Sequence, residues 1–155
     1  MSMKRRTFLK GTLAGSTVGV AVSAGLLSPQ AVLAAYPKDA FKKKEVSGAL
    51  NELLGSGDTA TSGDITVKAP DIAENGAVVP ITVETSLPAE SISIVAKENP
   101  QPLVASFDMT DGASGYVSTR IKMGKTSDVM AVVKSGGKLY SGSKEVKVTI
   151  GGCGG

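Results

Sequence analysis

Ser91-Ile92-Ser93-Ile94-Val95-Ala96-Lys97 sets Ile92, Ile94 and Ala96 on one side of an extended chain. Successive side chains of a strand point to opposite faces, so this period of two predicts a β-strand with one apolar face. Asn99-Pro100 and Pro102 then break it. The pattern recurs on both sides. Upstream, Ile65–Lys68 and residues 78–85 read as strands, and Pro80 marks an edge or bulge because proline has no N–H to give to a ladder. Residues 70–76 between them read as a turn region, with Asn75-Gly76 its sharpest signal. Downstream, residues 103–109, 116–123, 129–134, 138–141 and 144–150 are further strands, and Ser135-Gly136-Gly137 is a turn. Val146, Val148 and Ile150 face one way in the last strand. Seven or eight short strands with turn signals about every ten residues predict an all-β, antiparallel β-sandwich.

Residues 39–54 carry a different period. Phe41, Val46, Ala49, Leu50, Leu53 and Leu54 recur at helical spacing, Asp39 is a candidate cap, and Gly55-Ser56-Gly57 ends the run. Lys42, Lys43 and Lys44 form its solvated side. This N-terminal helix is expected to cap one side of the sandwich or to pack on a partner.

The two ends of the chain bear on function. Lys4-Arg5-Arg6-Thr7-Phe8-Leu9-Lys10, a Gly/Ala/Ser/Thr-rich apolar stretch to Leu27, Pro29 and Val32-Leu33-Ala34 read as a twin-arginine export signal cleaved before Ala35. Lys4 replaces the usual serine before the arginine pair, and a retained membrane anchor is the competing reading. The expected division is a signal over 1–34, a helix-plus-sandwich domain over 35–150 and an arm over 151–155, in a periplasmic protein exported already folded. About 120 residues then remain, enough for one domain. The signal holds four of the 17 basic residues and none of the 14 acidic ones, so the remainder carries 13 against 14, a net charge of −1. Nothing in that balance calls for a nucleic acid or a membrane surface. Twin-arginine export suits a chain that picks up a cofactor or a subunit before it crosses, and with no cofactor motif in view a companion subunit is the simpler expectation.

At the other end Gly151-Gly152-Cys153-Gly154-Gly155 holds the single cysteine. Glycine has no Cβ and opens backbone conformations closed to other residues, so the sequence predicts a thin, flexible arm carrying one thiol. A packing cysteine would have apolar neighbours. One cysteine cannot make an internal disulfide, and a lone thiol in an exported protein points to intermolecular pairing or a reactive group. No cation or helix end lies next to it in sequence, so its pKa is expected near the free value of about 8.5. Three residues of extended chain carry it about 10 Å past Ile150.

Most other chemistry is excluded. Without histidine there is no His-based triad, no blue-copper set and no Cys/His zinc site. Asp108-x-x-Asp111-Gly112 falls short of a calcium loop and reads as a turn. Met109, Met123 and Met130 lie in strands and read as core or interface residues. The thiol is what remains: a handle that holds a group covalently while separate enzymes act on it.

These residues resemble the SoxY family, the sulfur-carrying subunits of SoxYZ complexes of periplasmic thiosulfate oxidation. The resemblance rests on the twin-arginine signal, on Ala69-Pro70-Asp71-Ile72-Ala73-Glu74-Asn75-Gly76-Ala77-Val78-Val79-Pro80, on the Asn99-Pro100 break and on the Gly-Gly-Cys-Gly-Gly end, and it spans the chain beyond the signal. It implies an immunoglobulin-like sandwich paired with a SoxZ-like subunit. It also implies that Cys153 bears the sulfur intermediates and that Gly151, Gly152, Gly154 and Gly155 form the swinging arm. The partner enzymes it implies are a c-type haem enzyme that joins thiosulfate to the thiol, a manganese hydrolase that releases sulfate and, where present, a sulfane dehydrogenase. The protein would then be their substrate and not an enzyme, with no cofactor of its own.

Three other readings remain beside this one. Cys153 could tie the domain to a partner by a permanent disulfide, though a static link needs no flexible glycines. Gly154-Gly155 could act as a thiocarboxylate carrier, though no ubiquitin-like central helix is seen. Cys153 could be an enzymatic nucleophile, though no base accompanies it. For Ala73-Glu74-Asn75-Gly76, a turn into an edge strand is favoured over a partner contact. Glu74 and Arg120 carry no role that sequence assigns.

Overall fold

The computed structural model describes residues 36–149, so the expected signal peptide, Ile150 and the whole 151–155 arm lie outside the described residues. Two helices, α1 (Lys38–Lys42) and α2 (Val46–Leu54), precede nine strands. The strands are β1 (Ala60–Thr61), β2 (Ile65–Lys68), β3 (Ile72–Ala73), β4 (Val79–Thr85), β5 (Ser91–Ala96), β6 (Leu103–Asp108), β7 (Tyr116–Ile121), β8 (Ser127–Ser135) and β9 (Lys138–Val148). Neither helix is long and apolar enough to cross a membrane.

The strands make two sheets. One runs β1-β9-β8-β5-β6, with β3 also on β9, and the other runs β2-β4-β7. In immunoglobulin lettering β2, β4 and β7 take the places of A, B and E, and β5, β6, β8 and β9 those of C, C′, F and G. The fold is therefore the expected immunoglobulin-like sandwich. Its pairs are antiparallel except that β1 and β3 lie parallel to β9.

Ile92, Ile94 and Ala96 do share the core face, where they join Val129, Ala131 and Val133 of β8 and Ile81, Val83 and Val117 of the smaller sheet. The opposite face is not solvated: every residue of β5 is buried. The helices cover that face, with Ala40, Ala49 and Leu50 packed on Val95, Leu103, Val132 and Leu139. Ser93 fits there because its hydroxyl bonds that of Ser106 on β6, Oγ to Oγ 3.0 Å. Serine alternation, which reads as a wet face in sequence, here marks a second dry one: the Ser93 hydroxyl is satisfied across strands, while the buried Ser91 hydroxyl has no partner among the described residues. Of the methionines expected in strands only Met130 is in one, Met109 and Met123 lying just past the ends of β6 and β7; all three pack as expected on the core, Met123 buried and Met109 and Met130 at the margins of the two clusters.

The single helix expected over 39–54 is two helices. Lys43 (ψ 143°) and Glu45 (ψ 140°) are extended. At 3.6 residues per turn, an unbroken helix would place Phe41 about 150° from the stripe made by Val46, Ala49, Leu50, Leu53 and Leu54. The break rotates α1, and Phe41 joins that stripe against the sheet. Asp39 does not cap: Pro37 holds that position without a side-chain bond, and Asp39 sits in the first turn, 3.7 Å from Lys42. Gly55 ends α2 as expected, in the left-handed region at φ 83°.

Two further departures concern strands. Residues 138–148 form one strand where two were expected, because Gly142 does not interrupt it but makes room: a Cβ there would lie 2.8 Å from the Ile65 carbonyl oxygen. The 70–76 turn region contains β3. Two turns match their reading. Gly136 and Gly137, both at positive φ, close the two-residue β8–β9 hairpin. Residues 110–113 form a turn with Gly112 at φ 85°, closed by the Ala113 N–H on the Thr110 carbonyl.

Pro80 lies in the central strand of its sheet, yet β2 pairs only as far as Thr82. The Thr85 N–H bonds the Gly115 carbonyl, so odd-numbered β4 residues direct their backbone groups to β7 and even-numbered ones the other way. The missing N–H of Pro80 thus faces the side where β2 has ended. The strand is locally an edge there, as proline requires.

Ile94 sits at the centre of the larger sheet, fully buried. Ile94→Ala is expected to lower the unfolding free energy by about 2–5 kcal/mol through lost burial and a residual cavity. Urea denaturation measures this through the midpoint.

Candidate functional site

The thiol and its four glycines follow β9, so the described part of the site is the mount from which the arm leaves. β9 is an 11-residue strand paired along one edge with β8 from Ser127↔Val146 to Ser135↔Lys138. On its other edge β1 pairs at Tyr140 and Ser141, and β3 pairs at Lys147 and Val148. A strand end with one neighbour frays, whereas this one is held on both sides to its last turn.

The final bonds run up to Thr149. The Lys147 N–H donates to the Asp71 carbonyl (3.0 Å) and the Thr149 N–H to the Ala73 carbonyl (3.2 Å). The Val148 N–H donates to Thr126 Oγ1 (3.0 Å). Lys144 ties the start of β3 down from below: its Nζ donates to the Ala69 carbonyl (2.6 Å) and lies 2.9 Å from Asp71 Oδ1. Each net hydrogen bond contributes about 0.5–1.5 kcal/mol. The Asp71 carboxylate is exposed, so solvent screens its ion pair, and the backbone bonds do most of the holding.

The segment Ala73-Glu74-Asn75-Gly76 therefore forms one wall of the arm's base. It is β3 followed by a turn, in which Asn75 Oδ1 accepts from the Ala77 N–H (2.9 Å) and the Asn75 carbonyl from the Val78 N–H (3.3 Å). Gly76 is required by contact: its carbonyl accepts from the Met123 N–H (2.7 Å), and a Cβ would overlap the Met123 carbonyl oxygen and press on Val148. Ile72 and Val78 on either side of this wall are 55% and 51% exposed, unusual for large aliphatic residues. Glu74 is exposed in the turn and enters no ion pair among the described residues.

Sequence reasoning named Cys153, Gly151, Gly152, Gly154 and Gly155, all outside the described residues. It missed Lys144, Asp71 and Thr126, whose roles arise from contacts distant in sequence. No cluster of metal-binding side chains occurs among the described residues. Asn99, read only as a strand break, is a clamp: its Nδ2 donates to the Lys122 carbonyl (2.7 Å) and its Oδ1 accepts from the Gly124 N–H (3.1 Å). The Asn-Pro dipeptide gives no hint of that partner.

Lys144 holds the Asp71 carboxyl below the usual carboxylate range, first through their hydrogen bond and then through its charge; desolvation opposes this and Lys147 adds to it. The native carboxyl thus titrates below its unfolded counterpart. Its stabilisation is present above the unfolded pKa and is lost as pH falls through the native one. In Lys144→Met, carboxyl NMR is expected to show Asp71 titrating at higher pH than in wild type. An unchanged titration would mean that the pair does not form in solution.

No curated protein matches the chain. The chain of a solved structure, that of the sulfur carrier protein SoxY from Chlorobium limicola f thiosulfatophilum, is 50% identical to it; the match covers 66% of this chain and 94% of that one, with a TM-score of 0.60. The model of the family described as "Sulfur oxidation protein SoxY" matches residues 50–153, a span that takes in the second half of α2, every described strand, Thr149 and Cys153. With two thirds of its length under that model and this sandwich beneath it, the chain belongs to the SoxY family of sulfur oxidation proteins.

Proposed function

We propose that this protein is a covalent sulfur carrier, holding intermediates of thiosulfate oxidation on the thiol of Cys153 and presenting them to separate enzymes. The observation that carries the reading is the double-edged anchoring of β9 up to Thr149, directly before Ile150 and Gly151-Gly152-Cys153-Gly154-Gly155. A handle needs a fixed base and a free end, and the chain supplies the first by hydrogen bonding and the second by composition. Family membership and the solved sulfur carrier support it independently.

On this reading thiosulfate joins the thiol in a two-electron oxidation, with one proton released and both electrons passing to a c-type haem enzyme; the product is a cysteine S-thiosulfonate. A manganese hydrolase then adds water across the bond between sulfane and sulfone. Sulfate leaves, two protons are released, and a persulfide anion stays on Cys153. Where present, a sulfane dehydrogenase oxidises that remaining sulfur. Small glycines beside the thiol let the loaded end enter narrow active sites, and no neighbouring side chain competes with the cargo. The protein itself is the substrate of these steps. It works in the periplasm as a heterodimer with a SoxZ-like subunit, exported folded through the twin-arginine signal of residues 1–34.

Intact mass of protein from the periplasm of thiosulfate-grown cells, before and after reductant, tests the carrier role. Reductant-removable additions of sulfur or thiosulfate are expected on wild type and none on Cys153→Ser, which should still fold and bind its partner. A bare thiol, or only a disulfide to another whole protein under all growth conditions, would count against it. A Gly151→Pro/Gly152→Pro variant is expected to lose cargo-transfer rate at least tenfold while its thiol reacts normally with a small reagent. Equal transfer rates would sink the arm argument.

A further inference from the structure

The two sheets end on the same side in unpaired strands, β6 in the larger and β7 in the smaller. Between these edges runs a groove of about 470 Å³. Pro100, Val104, Ala105 and Ile121 give it an apolar lining, and Arg120 and Lys122 border it. Both cations are exposed, and neither enters an ion pair among the described residues. The chain beyond the signal carries a net −1 with these two cations included, so the protein as a whole is not basic. The Asn99 clamp on Lys122 and Gly124 fixes the groove's end, so its shape is present before anything binds.

The β7 edge is also chemically open. Because the Gly115 carbonyl accepts from the Thr85 N–H, the pairs Val83↔Val117, Ile81↔Thr119 and Val79↔Ile121 exchange ladder bonds. The intervening Tyr116, Ser118 and Arg120 turn their backbone groups away from β4; the Tyr116 N–H is taken by the Ser114 carbonyl (2.6 Å), so the N–H groups left to the free edge are those of Ser118 and Arg120. The close side-chain contact Thr82 Oγ1 to Ser118 Oγ, 3.1 Å, agrees with that phase, since non-bonded pairs approach more closely. A row of free backbone groups beside an apolar slot with two cations is the surface that an added strand recognises.

We propose that this edge is the seat of the companion subunit. An extended segment of that subunit adds to β7 as a further strand, with apolar side chains in the groove and carboxylates facing Arg120 and Lys122. The arm's own residues fit the slot poorly, because Gly-Gly-Cys-Gly-Gly brings no apolar side chain large enough to fill it. A second copy would bring its own Arg120 and Lys122 to the seam and double the positive charge. The assignment rests on the reading of the protein as a heterodimeric carrier.

Two variants of the chain without its signal, each co-purified and titrated with the SoxZ-like subunit, test it. Ser118→Pro removes one outward N–H and leaves the β4 ladder intact; Arg120→Glu/Lys122→Glu reverses the charge at exposed positions. Each is expected to weaken heterodimer formation at least tenfold at low salt with an unchanged melting profile, and the charge variant is expected to abolish the salt dependence of binding seen in wild type. Wild-type affinity in both variants would overturn the proposal. So would normal affinity coupled with faster loss of cargo from Cys153, which would make the groove a cargo site, or a loss confined to self-association, which would make it a homodimer seam. None of these results bears on the sulfur mass expected on Cys153 of the wild-type protein. Absence of that mass in wild type is the separate result that would remove the carrier reading.

Discussion

Everything in this molecule that bears on Cys153 depends on β9 being paired along both edges. A terminal strand in a sandwich ordinarily has one neighbour, and its last residues exchange with solvent. Here β8 occupies one edge as far as Val146 and the Thr126 hydroxyl takes over at Val148, while the short parallel strands β1 and β3 cover the start and the end of the other. Two residues of β3 do little as a strand. Their effect comes from position, because they carry the ladder to Thr149. Close approaches make this possible. The Ile65 carbonyl lies against Gly142, and the backbone at Met123 lies against Gly76, so a side chain at either glycine would push the flanking layers away from β9.

The second constraint is burial of the larger sheet on both faces. Its inner face meets the smaller sheet and its outer face meets the helices, which stiffens β5, β8 and β9 together. Dense packing on two sides leaves such a strand few ways to move. On the proposed carrier reading, the body is the mount for the thiol.

The parts of this design that were legible in sequence are those written in neighbouring residues. The period of two in β5, the glycine pair of the β8–β9 hairpin and Gly55 at the end of α2 all act over a few positions. What was not legible depends on partners far along the chain. β3 is two residues long and meets β9 in parallel, so it has no periodicity to detect. The kink between α1 and α2 is set by where Phe41 must point relative to a sheet that forms later in the chain. Lys144 looks like any solvated lysine in an alternating strand until the loop before β3 closes over it. Asn99 likewise reads as a breaker because its amide bonds are to β7's end, not to its own turn.

The open edge poses a different physical question, since charges on an edge strand often serve only to prevent sheet-to-sheet aggregation. A blocking lysine needs solvent around it and no cavity beside it. Arg120 and Lys122 instead border an apolar slot, and apolar surface that stays wet is a standing cost. Blunting also works best on a strand whose free groups are covered or twisted away, whereas among the described residues nothing pairs with the outer edge of β7. The mount and the open edge are linked through one short path: Gly124 at the groove, Thr126 two residues on, and its bond to the Val148 N–H at the arm's base. A chain seated along β7 would thus stand beside the last described residues of β9 without occupying the edge that β3 holds.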